Sequence, residues 1–216
     1  MKSLSTKKIA TIGVLSELGT ILAIMIHIPL VPAVSFLTYE PKDVVIVILG
    51  FIYGPFATVL SSFVCSLLEI LFIGGNVLDL LMNMFSTIGF AGTAAYIYHK
   101  NHTKKGALIG LACGMIVTTI VMTIWNYIVT PIYYQMPREA VVAMLLPGII
   151  PFNLIKSGIN TAITLYLYKP VVSLLRRTNL VEDSNAAKHD SKSVLVIATF
   201  ILLTFICIYL AFNNMI

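Results

Sequence analysis

VVIVILGFIYGPFATVLSSFVCSLLEILFI, running from Val44 to Ile73, decides how this chain is arranged. About ten apolar residues precede Gly54-Pro55, too few to cross a hydrocarbon core that needs ~20 helical residues. Two readings compete. Either one long helix is kinked at Pro55, or a short helix from Val44 to Tyr53 turns at Gly54-Pro55 into a full helix from Phe56 to Ile73. The charges elsewhere choose between them. With a turn, Lys2, Lys7, Lys8, Lys100, Lys104, Lys105, Lys169, Arg176, Arg177, Lys188 and Lys192 share one side. Only Lys42 and Arg138 fall in loops on the other side, and Lys156 lies within a span. A single kinked helix would move Lys100, Lys104 and Lys105 across. The excess of Lys and Arg on cytoplasmic loops therefore selects the short second helix and a cytoplasmic amino terminus.

The rest of the chain fits a membrane protein. Of 216 residues 58% are hydrophobic and 11% charged, more apolar surface than a soluble domain of this size can hide. Long apolar runs read as helical spans: Ile9 to Leu30, Phe56 to Ile73, Val77 to Tyr98, Ala107 to Val129, and a sixth opening at Pro151 and ending near Lys169-Pro170. Ser193 to Phe212 makes a seventh, without charge or interior amide. The basic start is not a cleaved leader, because the run after it is too long and lacks a small-residue cleavage site. The expected fold is an all-α integral membrane protein: a six-helix domain at 1–172, a polar cytoplasmic linker at 173–192 and an added transmembrane helix at 193–216. The +5 charge reports topology in the lipid bilayer of the cell membrane, not a nucleic-acid surface.

Polar residues inside such spans are expensive and mark sites. Glu69 on helix three, Asp79 and Asn83 on helix four, Asn126 on helix five, and Asn153 and Lys156 on helix six all lie toward the outer leaflet. Between helices one and two, VPAVSFLTYEPKD (Val31 to Asp43) holds two prolines and is too apolar for a solvated loop, so it is a candidate lid. Amides and charges converging in an apolar pocket suit a ligand that is part flat and apolar, part rich in hydroxyls or carbonyls. Phe36, Tyr39 and Trp125 could stack on its ring. Lys156 either binds ligand or pairs with Glu69 or Asp79. On helix one, Gly13, Ser16 and Gly19 would let another helix approach, with Glu17 among them as a partner-contact residue.

Several chemistries are excluded. The chain has no G-x-x-x-x-G-K-[ST], H-E-x-x-H or G-x-S-x-G, and Cys65, Cys113 and Cys207 stand singly in apolar runs. An intramembrane enzyme using Glu69, Asp79 and Lys156 lacks a nucleophile, base and orienting group. No enzyme activity, cofactor or metal site is expected.

The block from Phe36 to Pro55, Asn126 in Trp125-Asn126-Tyr127, and the Asn153-x-x-Lys156 pair resemble the riboflavin-specific S components of energy-coupling factor (ECF) transporters. That resemblance implies an S-component-like six-helix bundle with a short helix two, binding riboflavin as transported ligand under loop one. Thr38, Tyr39 and Asp43 would then line the lid, and Asn126, Asn153 and Lys156 would hold the vitamin. It also implies a scaffold membrane subunit and two ATPase subunits as partners, which accounts for the missing P-loop. In the family, helix one carries Ala-x-x-x-Ala toward the scaffold; here Glu17 stands at the second small position after Gly13. An S component for another small vitamin or precursor is the alternative. The seventh helix lies outside the family layout.

Overall fold

A computed structural model describes residues 6–178, 180 and 191–213. The linker expected at 173–192 falls mostly outside these residues.

The short helix is central to the fold. Helix α2 (Lys42–Tyr53) is buried on nearly every side, and its apolar run has no polar face to offer solvent. At Gly50 a Cβ would lie 2.8 Å from that of Ala95 and would strike the Thr58 hydroxyl, so only glycine admits the neighbouring helices this closely. Gly54 then turns the chain at φ +90°, and Pro55 opens α3 (Pro55–Ile73) where no amide hydrogen is needed. The short-helix reading holds.

Around α2 stand α1 (Thr6–Met25), α3, α4 (Val77–Lys100), α5 (Lys104–Tyr133) and α6 (residues 138–177). Helix α7 (Ser191–Phe212) lies along α6. Apart from α2, all are long and apolar enough to cross a membrane. Two of them contain a π-helical turn, Ile88–Gly92 in α4 and Leu145–Ile149 in α6.

Several boundaries differ from expectation. Helix α1 ends at Met25, because Ile28–Pro29 (β1) leaves it to pair antiparallel with Thr38–Tyr39 (β2). Helix α5 runs through Pro131 to Tyr133, so the second outer loop is shorter than read. Helix α6 starts at Arg138 and passes Pro147, Pro151 and Pro170 to reach Arg177. The boundary expected after residue 172 therefore falls inside a helix. Prolines that end helices in water are tolerated in apolar helices, where a π turn and neighbouring helices take up the freed backbone groups.

Between β1 and β2, loop one closes over the bundle. Leu30, Val31, Val34, Leu37 and Tyr39 form one buried cluster with Val141, Ile149, Phe152 and Ile155 at the start of α6. Gly148 admits Val34, whose methyl would lie 2.6 Å from an added Cβ. The loop is thus packed as core, and it seals one end of the molecule.

Candidate functional site

Beneath loop one lie two adjoining clefts that share Phe36, Leu37 and Met82. The inner one is lined by Thr38, Glu40, Asn83, Ser86, Met122, Phe152, Asn153 and Lys156 and is partly open. The outer one is walled by Leu78, Asp79, Trp125, Asn126, Val129, Thr130, Tyr133 and Tyr134. One chamber carries most of the polar groups, the other most of the aromatic ones.

Helix α6 supplies the polar wall. Asn153 and Lys156 are three residues apart and share a face. The Asn153 amide donates to Ile149 O at 2.8 Å, which leaves its oxygen without a partner among the described residues. Lys156 is 8% exposed, and its Nζ lies 3.8 Å from Asp43 Oδ2, too far for a hydrogen bond. A buried ammonium held this loosely has donors to offer a ligand. From α4, Asn83 donates to Glu69 Oε2 at 2.8 Å and lines the cleft beside them. Asn126 on α5 is satisfied locally, donating to Met122 O and accepting from Thr130 Oγ1, both at 2.8 Å.

Four expected ligand contacts sit elsewhere or do other work. Glu69 lines neither cleft; both its oxygens accept from Lys42 Nζ, at 2.7 and 2.6 Å. Asp43 lies below the lid, where Oδ1 accepts from Thr87 at 2.7 Å and Oδ2 from Asn160 at 3.3 Å. Tyr39 turns into the loop-one core, because alternate strand residues point to opposite faces and Thr38 takes the cleft side. Asp79 does border the outer cleft, but it also closes the capping box of α4 with Asn76 and accepts from Tyr133 Oη at 3.0 Å. Lys156 therefore pairs with Asp43, not with Glu69 or Asp79.

The helix-one stripe divides in the same way. Gly13 and Glu17 face outward, and a Cβ on Gly13 would meet nothing within 4 Å. Ser16 and Gly19 face inward: Cys65 Sγ donates to Ser16 O at 3.1 Å, and Gly19 lies against Cys65 and Lys42. These two cannot meet an external helix.

Two residues were missed. Lys42, read as an outer-loop base, is 1% exposed and joins Glu69 to Glu40, whose Oε2 lies 2.8 Å from its Nζ. Glu40 in turn reaches the inner cleft. The signal was present in Glu69, since a carboxylate inside an apolar helix demands a cation, and Lys42 is the one that opens the adjoining helix.

A bundle of apolar helices around a buried short one, with a polar and aromatic cleft beneath a folded loop, has the architecture of a multi-pass membrane protein. Its relatives specify the class. The family model described as "ECF transporter, substrate-specific component" matches residues 7–168, and the chain belongs to that family. It is similar to the riboflavin transporter RibU of Staphylococcus aureus, at 33% identity over 79% of this chain and 93% of that protein. RibU of Streptococcus thermophilus is 27% identical over 79% and 85% of the two chains, and the riboflavin transporter FmnP of Bacillus subtilis 25% identical over 74% and 89%. A solved structure described as the S component of a bacterial ECF transporter superposes with a TM-score of 0.68 at 32% identity, covering 79% of this chain and 98% of that one. The family is one of transporter subunits, not enzymes.

Proposed function

We propose that this chain captures riboflavin from outside the cell in the cleft beneath loop one and delivers it inward. The observation that carries the reading is the division of that cleft, with Lys156, Asn153 and Asn83 in one chamber and Trp125, Tyr133 and Tyr134 in the next. Riboflavin is divided likewise: a flat ring with an apolar dimethylbenzene edge, against pyrimidine carbonyls and ribityl hydroxyls. The apolar edge would lie among the aromatic side chains, where burial and stacking favour it. Lys156 would donate to a carbonyl or hydroxyl, and the free amide oxygens of Asn153 and Asn83 would accept from ring N–H or hydroxyl groups. Thr38 and Glu40 would complete the polar wall from the lid side, and Asn126 would present its remaining N–H in the outer chamber. The names of the similar proteins point to the same vitamin.

On this reading loop one faces outward and the amino terminus is cytoplasmic, which the distribution of Lys and Arg supports. As a substrate-specific component, the chain would work with a separate energising module, for which a scaffold membrane subunit and two ATPase subunits are proposed. The exposed stripe of Gly13 and Glu17 on α1 is the surface proposed to meet the scaffold.

The test is direct. The chain is expressed alone, purified in detergent, and its visible spectrum recorded before and after denaturation. A flavin band released on denaturation, or riboflavin fluorescence quenched on titration, is expected. No band and no quenching at micromolar protein would exclude riboflavin and leave the cargo of this S component open.

A further inference from the structure

Helix α7 lies outside residues 7–168, the part of the chain that matches the family. Its placement is specific. Phe205 packs onto Gly158 of α6, where any Cβ would collide with its ring, and the Tyr166 and Thr199 hydroxyls pair further along. These contacts run in opposite order along the two helices, so α7 is antiparallel to α6 and its carboxyl end rises toward loop one. There Phe205 and Tyr209 pack against the loop-one cluster. One turn beyond, Asn213 Nδ2 donates to Leu30 O at 3.1 Å, reaching the backbone at the base of the lid.

A helix that only filled space in the lipid would need none of this. Its outer residues Val196, Phe200 and Leu203 are exposed, as a lipid-facing surface should be. Its inner edge, by contrast, ends in a polar bond to the residue that follows β1. Thr38, across the ribbon from β1, lines the cleft. A lid must open for ligand to leave, and a tether at its base raises the free energy of opening.

We propose that α7 braces loop one: Asn213, Tyr209 and Phe205 hold the base of the lid, and the brace slows ligand release. The proposal rests on the reading that loop one covers bound riboflavin. Asn213, Tyr209 and Phe205 are positioning residues and touch no ligand.

The experiment uses the full chain in nanodiscs, comparing wild type with Asn213→Leu and, independently, Tyr209→Leu. Riboflavin release is followed by recovery of flavin fluorescence on dilution, and amide hydrogen exchange is followed in residues 28–40 without ligand. The brace predicts release about three- to tenfold faster, the scale of one lost hydrogen bond, together with faster exchange confined to loop one. Release and exchange at wild-type rates in either folded variant would overturn it. If the wild type binds no riboflavin, the proposed function fails, and the exchange arm alone decides on the brace. If Asn213→Leu does not fold, Tyr209→Leu carries the comparison.

Discussion

Lys42 and Lys156 are two lysines buried in one bundle, and they are held in opposite ways. Lys42 is gripped by three carboxylate oxygens, two from Glu69 and one from Glu40, all within 2.8 Å. Lys156 has one carboxylate, at 3.8 Å, and faces a cleft. Burial alone therefore does not mark a ligand-binding cation. The mark is unused hydrogen-bonding capacity directed at open space. Lys42 joins loop one, α2 and α3, and through Glu69 it also holds Asn83 on the cleft wall. Lys156 keeps hydrogen-bonding capacity directed at the cleft.

That contrast can be broken most forcefully at Lys42. Lys42→Met strands Glu69 and Glu40 in the apolar interior, and the loss of stability is expected at ~3–5 kcal/mol. It should appear as a large drop in melting temperature in detergent, or as failure to accumulate in the membrane. Removing the whole cluster in Lys42→Met/Glu69→Met/Glu40→Gln should restore much of that stability, because an absent ion pair costs far less than half of one. If the single variant melts like wild type, Lys42 is not the structural lysine.

Asn153→Ala comes next. It removes one polar partner of the ligand while the helix keeps its backbone, so riboflavin affinity is expected to fall about tenfold with a small change in melting temperature. Calorimetric titration checks the affinity, and a thermal melt of the same preparation checks the stability. The smallest effect is expected at Tyr39→Phe. The Tyr39 hydroxyl is buried without a partner, so its removal should leave affinity unchanged and shift stability by less than about 1 kcal/mol. A tenfold loss of affinity would instead place Tyr39 at the ligand, as the sequence reading had it.

Most of the frame was legible before any coordinates. Gly54-Pro55 and the one-sided lysines gave the short second helix, and Asn153-x-x-Lys156 and Asn126 pointed to the cleft. Proline misled at Pro131 and Pro170, because the breaker rule describes helices in water and these lie in long apolar helices. Lys42 misled for a different reason. A lysine between Pro41 and Asp43 at the start of a helix has the local chemistry of a solvated loop, and only tertiary contact reveals that α2 begins inside the bundle. Glu69 pairs with Lys42, and Asp43 with Thr87 and Asn160; spacing along a helix shows which residues share a face but not which carboxylate a lysine on another helix will choose. Tyr39 and Ser16 differ from expectation in orientation: Tyr39 turns into the loop-one core while Thr38 lines the cleft, and Ser16 turns inward while Glu17 is exposed, as strand and helix periodicity dictate.

The central claim is that Lys156 is the ligand lysine of the cleft. It is tested by titrating purified wild type and Lys156→Met with riboflavin, with melting curves on the same samples. Asp43 keeps its bonds from Thr87 and Asn160, so the variant should remain folded, more stable than Lys42→Met, and bind riboflavin about ten- to hundredfold more weakly. A folded Lys156→Met that binds riboflavin as tightly as wild type would contradict the account.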